Sequence, residues 1–221
     1  MKALIACEYS GIVRDSFTSK GWDATSCDLL PTDSPGKHYQ GNVLDILYEG
    51  WDLLIGFPPC TYLSSAGLFR CRVDKYGEMA LDRIRKRNEA VEFFYKLWFS
   101  GIKHISLENP TGFISGNIHK PTQIIHPYYF GERELKRTCL WLKNLPPLIH
   151  SSGDLFTDRT HTEYPEPTSI DTKTGKKRYF TDSFSDTFLK TAHQRNKTFN
   201  SIANAMAEQW TEYILYNDKR P

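Results

Sequence analysis

At 221 residues the chain is long enough for one sizeable core and too short for two full domains. A hydrophobic share of 39% is that of a soluble globular protein, and no apolar run approaches a bilayer span, so a membrane protein is not expected. The formal charge of +2 is nearly balanced; it does not announce a strong nucleic-acid binder and does not exclude one, because local patches matter more than the sum.

The first predicted element is a buried strand, Ala3 to Ala6, running into a loop at Glu8–Gly11. "IVRDSFTSKG" follows as a short helix with Ile12, Val13 and Phe17 on one face and Gly21 as its stop. "WDATSCDLL" is a second strand ending near Cys27 and Asp28, which completes a βαβ unit. A Pro- and Gly-rich loop, "PTDSPGKHYQG", leads to a helical turn or strand end in "NVLDILYEG". "WDLLIGF" is a third, fully buried strand stopped by Pro58 and Pro59.

From Glu78 to Ser100 the pattern is helical, with Leu81, Ile84, Val91, Phe94, Leu97 and Trp98 at three- and four-residue steps. A fourth strand is expected at His104–Leu107 and a fifth at Thr138–Leu142, each closed by proline. Residues 151–197 are polar and turn-rich, with a hairpin expected to turn at Thr174–Gly175. The last element is an amphipathic helix, Asn200 to Tyr216, burying Phe199, Ile202, Ala203, Met206, Trp210, Tyr213 and Ile214. The expected domain plan is a catalytic domain of residues 1–147 and 198–221, interrupted by a small insertion at 148–197.

Strands alternating with helices imply a mostly parallel α/β sheet covered on both faces. Ligands then sit beyond the carboxyl ends of the strands. That rule gathers Tyr9–Gly11, Asp28, Pro58–Cys60 and Glu108–Pro110, which are distant in sequence and expected to be close in space.

Five cysteines, an odd number with no CxxC pair, point to free thiols in a reducing, cytoplasmic setting, and "MKALIACEYS" turns polar too early for a signal peptide. Spacing supports no metal site. Asp28 suits a pair of ribose hydroxyls, or is a plain solvated acid. Ser10 and Gly11 give a ligand close approach to the backbone, or form a simple tight turn. Cys60 is either a structural thiol or, once ionised, a nucleophile whose approach the prolines aim. Glu108 at the end of another strand favours the second reading, because a thiol and a carboxyl in one cleft make a nucleophile and a proton donor.

"FPPCTYLS" and "LENP" together resemble the Pro-Cys and Glu-Asn-Val motifs of the DNA (cytosine-5) methyltransferase family. "EYSGI" is similar to the family's Phe-x-Gly-x-Gly loop, with Val13 where the second glycine belongs. "QGNVLDI" resembles its Gly-Asp-Ile motif, with Asn42 in place of the acid. "SIANAM" resembles its closing Gly-Asn-Ala-Val motif, with Ala203 for the glycine. "KRTCLWL" keeps only Arg137 of the Gln-x-Arg-x-Arg strand. Through "PPCTYLS", "ENP" and "TCLWLK" the chain resembles short phage-type members without a full target-recognition domain.

The resemblance implies a Rossmann-like S-adenosylmethionine-dependent methyltransferase fold in a bacterial or phage-infected host cell. It implies a cofactor site of Tyr9, Ser10, Gly11, Asp28, Leu29, Asn42, Pro58, Asn204 and Ala205. The catalytic group would be Cys60, Glu108 and Arg137. Cys60 would add to C6 of cytosine, Glu108 would bond N3 and the 4-amino group, and C5 would take the methyl group. Arg137 would hold the ring's O2.

Arg70, Arg72 and Lys75, with Arg83, Arg85, Lys86 and Arg87 behind them, read as a lid and phosphate clamp or as a solvated helix face. Lys173, Lys176, Lys177 and Arg178 are a second basic cluster or a solvated turn. Three functions stay open. The first is cytosine-5 methylation of duplex or single-stranded DNA, the chain acting as a homo-oligomer or with a partner. The second is the same chemistry on a free cytosine nucleotide. The third is a non-catalytic sensor of a nucleotide or S-adenosylmethionine.

Overall fold

The computed structural model describes residues 1–150, 164–167, 169–172, 174–175, 177–178 and 197–217. Its sheet has seven strands, in chain order Lys2–Ala6 (β1), Asp23–Asp28 (β2), His38–Gln40 (β3), Leu53–Gly56 (β4), His104–Pro110 (β5), Gln123–Ile125 (β6) and Thr138–Lys143 (β7). They lie in the order β3-β2-β1-β4-β5-β7-β6. The first five are parallel, and β7 runs antiparallel to both β5 and β6. This is the expected Rossmann-like mixed α/β fold.

Helices cover both faces. Ile12–Ser19 (α1) and Asn200–Asn217 (α5) pack one face, where Ile5, Phe17, Ile55, Leu140, Met206 and Trp210 are buried together. Ser65–Leu68 (α2), Val73–Trp98 (α3) and Phe113–Asn117 (α4) follow β4 and β5. The C-terminal half of α3 packs the other face through Phe94 and Leu97, against Leu4, Leu54, Leu107 and Trp141. Parallel strands with helices on both sides must be apolar throughout, and β4 is buried at all four positions.

Several expected boundaries move. β3 and β6 fall in segments read as loop or left unassigned; each is three residues long, with too little pattern to register. β5 continues past Leu107 to Pro110, because β7 pairs it through that proline. Proline is tolerated there because it ends the strand. Gly77 breaks α3 with φ 52, so the continuous helix begins at Glu78 as expected. Leu81 is 55% exposed instead of buried: it belongs to neither core, unlike Phe94 and Leu97 further along. Tyr213 also leaves the α5 stripe, at 37% exposure, while Thr211 is buried in its place and accepts a 2.7 Å bond from the Trp22 indole. The hairpin forms as expected, Ser169–Ile170 (β8) pairing with Lys177–Arg178 (β9) around Gly175 at φ 66. Among the described residues no helix is long and apolar enough to cross a membrane.

Candidate functional site

The carboxyl ends of β1, β2, β4 and β5 open onto two adjoining cavities of about 380 and 280 Å³, which share Cys7, Asp28 and Pro59. The larger is walled by Tyr9, Pro58, Cys60, Glu108, Lys136 and Thr138, with Phe199, Ile202 and Met206 from α5 and its lead-in. The smaller is lined by Leu29, Asn42, Val43 and Phe93.

Backbone hydrogen bonds set the Cys60 corner. The Asn109 side-chain amide donates to the Pro58 carbonyl at 2.8 Å, tying the two prolines to β5. The Leu63 and Ser64 amides both donate to the Cys60 carbonyl at 2.9 Å, so the chain turns at once behind the thiol. That turn is zipped to the end of β5 by Phe113 N to Leu63 O, 2.7 Å, and Ser65 N to Thr111 O, 3.1 Å. Arg83 reaches back from α3 to the carbonyls of Thr61 and Gly67, at 3.0 and 3.1 Å, and lies over the Tyr62 ring. Arg83 is thus a clamp on the loop itself. A β-carbon at Gly112 would overlap the Leu63 carbonyl, which is backbone and cannot step aside alone. Gly112→Ala is therefore expected to lower stability by about 1–3 kcal/mol through overpacking. Thermal unfolding of the purified variant checks this; an unchanged midpoint would mean that the turn is not held as described.

The thiol and carboxyl share one environment. Burial pushes the Cys60 thiol up, the Glu108 charge pushes it further, and Lys136 opposes both. Burial likewise raises the Glu108 carboxyl, against Lys136 and a hydrogen bond with Thr138. Glu108 is thus poised to keep a proton at a pH where an ordinary glutamate has lost it.

The other half of the site begins at Cys7, which leaves β1 in the left-handed region at φ 59. Backbone held in a sparsely populated region is common at ligand sites. Asp28 accepts the Leu30 amide on Oδ1 at 2.9 Å and faces both cavities. Glu8 turns the other way and is buried. It accepts from Val13 N at 2.8 Å, Arg14 N at 3.4 Å and the Ser10 hydroxyl at 2.9 Å, so its carboxylate fills the N-terminus of α1. A helix N-terminus is where a phosphate would otherwise bind. This one is already filled by the Glu8 carboxyl group.

Tyr9, Asp28, Leu29, Asn42 and Pro58 therefore meet at the cavities, with Cys60 and Glu108. Ser10 and Gly11 do not line them. Ser10 bonds Glu8, and Gly11 is needed for its φ of 76 and for room beside the Arg14 guanidinium and the Ser34 hydroxyl. Asn204 is exposed and accepts from Ser16, and Ala205 lines neither cavity; Phe199, Ile202 and Met206 stand there instead. Arg137 is exposed and also absent from the lining; Lys136 and Thr138, on either side of it, stand there instead.

Of the basic stretch, Arg72 is paired with Asp74 at 2.6 Å, Arg85 with Asp82 and Glu89, and Lys86 with Asp82. Arg70 and Lys75 are exposed and form no ion pair among the described residues. Lys177 and Arg178 form β9, while Lys173 and Lys176 lie outside the described residues. Sequence reading missed Cys7, Lys136, Phe199, Ile202 and Met206. Only the last three carried a signal, since they lie on the apolar side of α5 and its lead-in.

No family model and no curated protein matches the chain. Among solved structures, a co-crystal structure of WbdD with the kinase inhibitor LY294002 is similar at 13% identity and a TM-score of 0.33. That match covers 68% of this chain and 37% of the other, so the chain spans little more than a third of WbdD's length there. The fold accordingly rests on the strand order and pairing described above.

Proposed function

We propose that the chain transfers a methyl group from S-adenosylmethionine to C5 of cytosine in DNA, through a covalent adduct on Cys60 assisted by Glu108. The observation that carries this reading is the meeting of the Cys60 thiol and the Glu108 carboxyl on the wall of one cavity. A binding protein has no need of a thiol there, whereas nucleophilic catalysis needs both groups.

The residues of the site fit that cofactor. Glu8 fills the α1 N-terminus, which disfavours a pyrophosphate-bearing dinucleotide and leaves a phosphate-free nucleoside the better occupant. Asp28 and Tyr9 would hold its ribose and amino-acid portions, and Leu29, Val43 and Phe93 its base. When bound, S-adenosylmethionine supplies the methyl group from a sulfonium.

The chain's own residues prepare and release the ring. The Cys60 thiolate adds to C6 and protonated Glu108 donates to N3, so the C5–C6 π pair displaced by the new C6–S bond is held as an enamine with its nucleophilic end at C5. After methylation a base takes the C5 proton, the C6–S bond breaks, and N3 returns its proton to Glu108. The prolines keep the thiol's approach fixed, and the Arg83 clamp keeps Thr61 at the rim.

Incubation with labelled S-adenosylmethionine and, separately, duplex DNA, single-stranded DNA, RNA and dCMP tests the reading. Label in DNA is the expected result. Label in dCMP alone selects the mononucleotide reading, and cofactor binding without transfer to any of them overturns the enzyme. A second measurement checks the lid. R70E/K75E is expected to weaken DNA binding and to reduce the slope of log affinity against log salt by about 1 to 2. Fluorescence anisotropy over a salt series reads it, and an unchanged slope removes the lid from the DNA path.

A further inference from the structure

The end of β7 and its lead-in bring one basic residue to the site. Glu108 lies opposite Leu140 and Pro110 opposite Thr138, so these four share a face. Lys136, two residues before Thr138, reaches the same cavity; Arg137 does not. The other titratable groups on the cavity wall are Cys7 and Tyr9 from the end of β1 and Asp28 from β2, with Cys60 after β4 and Glu108 on β5. The wall built by α5 and its lead-in carries no charge: it presents Thr198, Phe199, Ile202 and Met206. Lys136 is thus the one cation among the described lining residues, and among the described residues it forms no ion pair.

We propose that Lys136 is the charge-balancing residue of this cavity: its ammonium lets the Cys60–Glu108 pair hold one negative charge, for which the sulfur and the carboxyl compete. Two adjacent acids in a partly dry cavity cannot both ionise against a single cation. The lysine does not choose between them by itself. It makes the singly charged state accessible; the hydrogen bond to Thr138 favours the charge on Glu108, and burial of the carboxyl opposes it. Burial and the neighbouring carboxylate both work against a thiolate at Cys60, and Lys136 is the group that works for it. Lys136 is a positioning residue here, since it acts on the nucleophile through charge. The role rests on the reading of Cys60 as the nucleophile.

The test reads the sulfur directly, on the full chain with no cofactor or nucleic acid added. Alkylation of Cys60 by iodoacetamide, in which the thiolate displaces iodide, is followed from pH 6 to 10 by mass spectrometry of each cysteine. Cys71 serves as the reference for reagent, and Cys27 and Cys139, which are buried, report any loss of fold. K136Q is expected to slow Cys60 alkylation at neutral pH by about 10-fold and to move its profile up by about one pH unit. K136R is expected to restore the profile, and E108Q to move it down. A K136Q profile that overlays the wild type overturns the proposal. So does an E108Q profile that does not move, which keeps the test decisive if K136Q fails to fold. A profile that shifts in a protein that methylates nothing would sink the proposed function and leave Lys136 in its role; methylation with an unmoved profile would do the reverse.

Discussion

Cys60→Ala is expected to remove methyl transfer from labelled S-adenosylmethionine to DNA, a loss of at least about 10³-fold, while cofactor binding and the unfolding midpoint stay near those of the wild type. The size follows from the chemistry. Cytosine C5 is a poor nucleophile until a group adds at C6, and among the lining side chains Cys60 offers a sulfur nucleophile with Glu108 beside it. Cys7 is no substitute, since burial raises its thiol further still and Asp28 adds to the shift. The fold is spared because the corner is held by the Asn109 amide on Pro58 and by Leu63 and Ser64 on the Cys60 carbonyl. None of these bonds uses the sulfur. Label transfer, calorimetry with S-adenosylmethionine and thermal unfolding on one preparation read all three quantities. Transfer retained in the variant would end the covalent mechanism.

The four loops of the cleft were legible because each follows an apolar strand with a sharp end. Cys60 and Glu108 stood out for that reason, and the structure brings both to one wall. Face assignment was harder. Whether Lys136 or Arg137 enters the cavity depends on how the lead-in to β7 is set against β5, and an antiparallel pairing between segments about 30 residues apart leaves no local mark. A motif match points to the arginine; the structure puts the lysine on the cavity wall. Asn204 is different, because its misplacement was detectable. Ala203, Met206 and Ala207 define the buried side of α5, and helical spacing from them already puts Asn204 towards solvent, where it meets Ser16. Glu8 carried a weaker signal. An acid just before a helix is a common N-terminal partner, yet only the structure shows it reaching the amides of Val13 and Arg14.

Glu108→Gln is expected to separate activity from stability. Transfer should fall by about 10²–10⁴-fold, the usual contribution of a positioned proton donor. Glutamine can still donate from its amide, but it cannot give up a proton to N3. Stability should move the other way. The folded-state carboxyl is raised above its ordinary value of 4.5, burial being the main cause. Below that value both the folded and unfolded chains hold the proton, and Glu108 costs nothing. As pH rises through and above it, the unfolded chain ionises first while the folded chain resists. The wild type is therefore penalised progressively until the folded carboxyl ionises too. The neutral amide of the variant feels no such penalty, so its unfolding midpoint should exceed that of the wild type at pH 7 to 8 and the difference should close towards pH 4. Scanning calorimetry of both proteins over that range reads it. Equal midpoints at neutral pH would mean that the carboxyl is not held in a raised state. A variant less stable at neutral pH would mean that the charged form is the favoured one, and that the proton needed at N3 must come from another group. Lys136 lowers the penalty without removing it, because it faces Cys60 as well as Glu108.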